Sequence, residues 1–184
     1  MVKIKVELVD VYCADTEDVT GADDFYLVGS LVGGGVTKPI LTHPIKINDK
    51  QTKSFRPEDA LLFEGEIQSG QTIKGGLQAY DEDAAKDWNN GYADTVNSIS
   101  NTVSGALATT GPQGATAATI LKVATKGIGI LASFDKDDLL GSTELEISAR
   151  GPANETREWK MSKKDSFVGW STWDYTVRYQ ISRS

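Results

Sequence analysis

The sequence predicts a mainly β protein: an antiparallel β-sandwich of about eight strands, interrupted by an inserted α-helical hairpin. Three observations carry this. Apolar residues recur with a period of two in several short runs, most clearly Ile4, Val6 and Leu8 near one end and Tyr175, Val177, Tyr179 and Ile181 near the other. Clusters of Gly, Pro, Asp and Ser separate the runs, with no internal repeat and no alternation of strand and helix, which favours an antiparallel arrangement over a parallel one. Residues 95 to 121 carry no charge and place Val96, Ile99, Val103 and Leu107 at helical spacing, a break in composition that marks an insertion.

Length and composition agree with one soluble globular domain over 1–184 that holds a hairpin insertion at 84–134. Hydrophobic residues make up 39% and charged residues 24%, too apolar for disorder, and the formal net charge of −7 disfavours nucleic acid as a partner. Cys13 is the single cysteine, which excludes an intramolecular disulfide and a thiolate zinc site and leaves a small buried apolar group as its expected role. The first residues alternate charge and apolarity with no apolar core of a leader, so no signal peptide is expected; the expected setting is cytoplasmic or peripheral to a membrane, and secretion would need another route.

In chain order, the alternation of Ile4, Val6 and Leu8 with Lys3, Lys5 and Glu7 continues through Val9, Val11 and Tyr12 as a half-buried first strand. An acidic loop over 14–24 follows, with Gly21 permitting a tight turn, then a strand over 25–32 ended by Gly33-Gly34-Gly35. Residues 36–47 read as an edge strand, because Pro39 and Pro44 cannot donate to a ladder. Polar residues 48–59 read as a loop and 61–67 as a strand. The strand at 72–80 contains Gly75-Gly76, a sign of a bulge or of close backbone approach. In the insertion, Ala117, Leu121, Ala124, Ile128 and Leu131 continue the helical spacing after Gly111-Pro112-Gln113-Gly114, which reads as the turn of the hairpin. Strands at 141–148, with Leu145 and Ile147 on one face, and at 175–181 complete the chain.

The hairpin is bracketed by acid. Asp81-Glu82-Asp83 precedes it and Asp135-Lys136-Asp137-Asp138 follows it, each joined to an apolar strand-like run. If those runs are neighbours in one sheet, their acidic ends meet at one edge. Two unit charges 4 Å apart repel by roughly 4 kcal/mol at an effective dielectric of 20, and Lys86 and Lys136 are the nearby cations in sequence. A hard cation relieves that repulsion, and calcium, with about 6 to 8 oxygen ligands in tolerant geometry, suits Asp side chains on loops better than zinc.

These segments resemble the calcium-binding loops of C2 domains. Asp18-Val-Thr-Gly21-Ala-Asp23-Asp24-Phe25-Tyr26 is similar to the family's first loop, where an Asp is followed three residues later by Gly, six later by Asp and then by Pro-Tyr; here Phe25 replaces the proline. Asp81-Glu-Asp83 and Asp138-Leu-Leu-Gly141 resemble the two halves of its third loop, with about fifty residues between them where the family has few. The resemblance implies a C2-like sandwich that binds Ca2+ through Asp18, Asp24, Asp81, Asp83 and Asp138. Glu17 and Glu82, through their carbonyls, and Asp87, Asp135 and Asp137 are candidate additional ligands. Val19 and Trp88 are the loop side chains that would touch a lipid or a partner.

The expected function is accordingly a calcium-dependent, non-enzymatic module that docks on a phospholipid surface or a protein partner. Two alternatives stand beside it. One is an interaction module with a structural metal, in which Trp159, Trp170 and Trp173, with Phe167 and Tyr175, form a protein- or carbohydrate-binding platform unless they pack in the core. The other is a membrane-inserting or pore-forming protein that uses the hairpin, which lacks the continuous apolar run of about 20 residues needed to span a bilayer as a helix. Enzyme classes lack their motifs: Gly33-Gly34-Gly35 is not followed by Lys-Ser or Lys-Thr, and His43 has no partner chemistry near it in sequence.

Overall fold

The alternating runs form two antiparallel sheets packed face to face in a computed structural model, which describes residues 1–16, 22–82, 88–111, 114–129, 138–164 and 172–184. One sheet contains β1 (Val2–Asp15), β5 (Gln51–Ser54), β6 (Leu61–Ile67), β9 (Asn154–Lys163) and β10 (Trp173–Arg183), in the order β5-β1-β10-β9 with β6 also on β1. The other contains β2 (Asp23–Gly33), β3 (Val36–Leu41), β4 (Ile45–Ile47), β7 (Thr72–Asp81) and β8 (Asp138–Ser148), in the order β3-β2-β7-β8 with β4 also on β2. Three helices, α1 (Pro57–Ala60), α2 (Trp88–Thr110) and α3 (Ala117–Gly129), complete the described elements.

The expected count of about eight strands meets ten strand segments because two strands are interrupted. β3 and β4 both pair with β2 and are separated at Thr42, His43 and Pro44, the last of which has no N–H to donate. β5 and β6 both pair with β1 and are separated by α1. The polar stretch expected as a loop over 48–59 thus contains β5 and most of α1, a polar edge strand being invisible to an apolar period. β9 was not expected at all. Its inward positions begin with Glu155 and Arg157, and an apolar alternation emerges only at Trp159 and Met161.

β2 explains the layering. Its residues Phe25, Leu27 and Leu31 enter the core between the sheets, whereas Tyr26, Val28 and Val32, on the opposite parity, enter a second apolar cluster with Leu41, Ile99, Val103, Ile120 and Ala124. A strand that is apolar on both parities must be covered on both faces, and α2 and α3 cover the second. Gly111, with φ +70, ends α2 by returning its N–H to the Leu107 carbonyl at 2.8 Å, and the Thr116 hydroxyl accepts the Thr119 N–H at 3.2 Å ahead of α3. Lys74, near the start of β7, donates to the Ala115 carbonyl at 3.3 Å. Ala115, just ahead of α3, therefore lies at the opposite end of the sheet from Asp81, and the helices lie back along the sheet.

Of the two readings of Gly75-Gly76, close approach is the one observed. The β2–β7 register runs through both glycines without a shift, and a Cβ on Gly75 would lie 1.9 Å from the Ser30 carbonyl oxygen. Among the described residues, no helix is long and apolar enough to cross a membrane.

Candidate metal-binding end of the sandwich

The acidic ends of the strands that flank the hairpin meet at one edge. β7 lies between β2 and β8, and the registers Phe25↔Asp81 and Asp81↔Asp138 bring Asp24, Asp81 and the first residue of β8 to the same end of the sheet. The strand ends are tied there directly: the Asp24 N–H donates to the Asp81 carboxylate Oδ1 at 2.7 Å, and the Glu82 N–H donates to the Asp24 carbonyl at 3.2 Å. Asp81 is 4% exposed. Lys46 of β4 is the register partner of Asp24 on its other side.

The neighbouring strand ends are braced as well. Thr16, at the end of β1, donates its N–H and its hydroxyl to Asp49 Oδ1, each at 2.8 Å, and these two donors hold the Asp49 carboxyl below the usual carboxylate range. The Thr172 hydroxyl donates to Asp15 Oδ2 at 2.8 Å. Across the sandwich, the Trp173 indole N–H donates to the Leu140 carbonyl at 2.8 Å, joining β10 to β8.

Of the residues expected from the sequence, Asp24, Asp81 and Glu82 are described in full and lie together. Asp138 is placed by its backbone at the head of β8, and Trp88 by its backbone at the start of α2. Asp18, Asp83, Glu17, Asp87, Asp135, Asp137 and Val19 lie outside the described residues. Among the described residues, no group of three or more His, Cys, Asp or Glu side chains could hold a metal ion. The donor set that the sequence assigns to this end is nonetheless one of carboxylate and carbonyl oxygens, the ligand chemistry of calcium rather than of zinc.

Sequence reading missed Asp23 and Tyr175. Asp23 is 1% exposed, on the parity of Phe25 and therefore inside the sandwich, and it accepts a hydrogen bond from the Tyr175 hydroxyl of β10. Burial, and then the carboxylate of Asp23, push the Tyr175 hydroxyl far above its ordinary range, so it remains a donor. The signal was the doublet itself: where two Asp residues open an apolar strand, a period of two sends one of them inward.

His43 does have partner chemistry, supplied by the fold rather than by sequence proximity. Its ring Nδ1 lies 3.0 Å from Asp59 Oδ1, and its ring stacks on Tyr92 with centroids 4.5 Å apart. The Tyr92 hydroxyl donates to the Leu41 carbonyl at 2.7 Å, and its pKa is pushed up to about 12, first by burial and then by Asp59. This cluster ties α2 to α1 and to the break between β3 and β4. Trp159 and Trp173, each 8% exposed, belong to the core between the sheets and so form no surface platform; Trp170 and Phe167 lie outside the described residues. A cavity of about 380 Å³ lined by Gly33, Gly34, Gly35, Glu66, Gln68 and Lys74 sits at the other end of the sheet and contains none of the expected ligands.

No protein-family model matches the chain, and no curated protein matches it. Among solved structures, it is similar to one described as the structure of a C2 domain, at 12% identity and a TM-score of 0.45, covering 100% of this chain and 99% of that one. It is also similar to human GIVD cytosolic phospholipase A2, at 14% identity and a TM-score of 0.45, where 99% of this chain spans 16% of the enzyme. A third is a C2 domain of plant Extended Synaptotagmin 1, at 9% identity and a TM-score of 0.38, covering 99% of this chain and 93% of that domain. These likenesses say nothing of ligand, partner or activity.

Proposed function

We propose that the chain is a calcium-binding C2-like module that docks on an anionic phospholipid surface or a protein partner when the ion is bound. One observation supports this above the others: the β2–β7–β8 register gathers Asp24, Asp81 and Asp138 at a single sheet end, with the ends of β2 and β7 tied by the bond from Asp24 N–H to Asp81 Oδ1. Asp18 and Asp83 complete the set that the loop motifs assign, with Glu17, Glu82, Asp87, Asp135 and Asp137 in reserve.

The physical logic is an electrostatic switch. Calcium supplies positive charge and open coordination positions, which phosphate or carboxylate oxygens of a partner can fill. The chain's own residues hold the oxygens in place and, without the ion, repel an anionic surface, in keeping with a net charge of −7. Hairpin insertion into a bilayer has less support, since the apolar face of the helices is already buried against β2 and β3.

The test is calorimetric titration of chelator-treated protein with calcium, followed by sedimentation with phosphatidylserine and with phosphatidylcholine vesicles. Micromolar to millimolar binding is expected, with vesicle uptake that needs both calcium and the anionic lipid. Replacing Asp81 and Asp83 together by Asn should abolish calcium binding while the fold is retained. Binding that survives that change overturns the loop assignment, and calcium binding without vesicle uptake restricts the module to a protein partner or a structural ion.

A further inference from the structure

We infer that Tyr175 positions this acidic end by gripping the chain on both sides of Asp24. The inference rests on the calcium reading above only for its effect on metal affinity. The observations are local. Tyr175 is fully buried on β10, in the sheet opposite β2. Its hydroxyl donates to the Asp23 carboxylate, and its ring packs on Phe25 with centroids 5.3 Å apart. Asp23 and Phe25 share a face because they are two residues apart on a strand, so one side chain reaches both. Asp24 lies between them, and its N–H is the donor that meets Asp81 Oδ1 at 2.7 Å.

The consequence follows from strand geometry. Holding residues 23 and 25 against a third side chain fixes the peptide planes on either side of Asp24, and hence the direction of its N–H. That N–H in turn orients the Asp81 carboxylate. Tyr175 thus acts on two expected ligands without touching a metal, as groups one layer behind ligands do when they set orientation and affinity. The hydroxyl has the chemistry for this. Buried in an apolar core, a carboxylate requires a donor, and a neutral phenol supplies one without adding charge. Cys13, the register neighbour of Tyr175 on β1, is buried too, which raises its thiol pKa to about 12, so no thiolate competes for the bond.

The experiment compares the 184-residue chain with its Tyr175→Phe variant, which removes the hydroxyl and keeps the ring. Tyr179→Phe is the control, since Tyr179 lies on the same face of β10 but is influenced by Arg157 and Glu155 of β9. Two readouts are taken: hydrogen exchange of the Asp24 amide in calcium-free protein, and calcium affinity by calorimetry. Tyr175→Phe is expected to speed Asp24 amide exchange about tenfold or more and to weaken calcium binding about 10- to 100-fold, while Tyr179→Phe changes neither. If Tyr175→Phe leaves both at wild-type values while the wild-type protein binds calcium, the positioning role is overturned and the calcium reading stands. If the wild-type protein takes up no calcium, the calcium reading is overturned and with it any part for Tyr175 in metal binding. Equal changes in both variants would show general loosening of β10 and would overturn a specific role for the hydroxyl.

Discussion

Replacing Ile99 by Ala tests whether the helical hairpin is part of the fold or a device that can be lifted from it. Ile99 is 0% exposed and sits among Tyr26, Val28, Val103 and Ala124, between α2 and the outer face of the β3-β2-β7-β8 sheet. Truncating a buried Ile to Ala costs about 2 to 5 kcal/mol, of which about 3 is a working value for a helix that can relax slightly toward the sheet. For 184 residues, an unfolding entropy of about 2.1 cal/mol/K per residue amounts to about 0.39 kcal/mol/K, so the melting temperature should fall by about 8 °C. The loss should be global. Lifting the hairpin exposes Tyr26, Val28, Val32 and Leu41, all buried, and at about 1.5 to 3 kcal/mol per side chain that costs roughly 6 to 12 kcal/mol, comparable to the whole stability of a domain. Urea unfolding followed by far-UV circular dichroism and by tryptophan fluorescence should therefore give coincident transitions that shift together in Ile99→Ala. An early loss of helical signal, with the fluorescence midpoint unmoved, would refute this reasoning and return the hairpin to the role of a detachable, membrane-seeking element.

Two further predictions concern the scaffold. Gly75→Ala should destabilise by more than about 3 kcal/mol in urea titration, because its Cβ would stand 1.9 Å from the Ser30 carbonyl oxygen and β2 and β7 would have to part; a near-neutral effect would show that the sheet yields easily there. Glu155 is held below its ordinary value of 4.5 chiefly by the Arg157 N–H and then by Arg183, so its contribution to stability is present above about pH 4.5 and is lost as the pH falls through its lower folded value. Glu155→Gln should thus flatten the stability profile at acid pH, and an unchanged slope would contradict that account.

That Asp24, Asp81 and Asp138 share one sheet end was legible because the signals for it are local in sequence. The Asp18 to Tyr26 motif, Asp81-Glu82-Asp83 and Asp138-Leu139-Leu140-Gly141 each announce themselves within a few residues, and the apolar runs beside them indicated strands whose ends meet if they pair. What could not be read was which groups stand behind those loops. Tyr175 lies 152 residues from Asp23, and His43 meets Asp59 and Tyr92 only because three separate elements converge. β9 and β5 escaped for a different reason: Glu155 and Arg157 occupy inward positions made tolerable because Glu155 pairs with both Arg157 and Arg183, and Gln51 to Ser54 form a polar edge. An apolar period cannot register a strand whose inward positions are charged or whose surroundings are water.

The sequence by itself determined the mainly β class, the place and helical character of the insertion, and the residue types at the acidic end. Periodicity, uncharged composition and clustered carboxylates are properties of neighbours along the chain. The tertiary structure decided that Asp81 stands between Phe25 and Asp138, that one Asp of the Asp23-Asp24 doublet is buried, and that the hairpin lies back on β2. Those outcomes depend on strand order and register, which arise when both faces of β2 seek cover at once, and no short stretch of the chain contains that information.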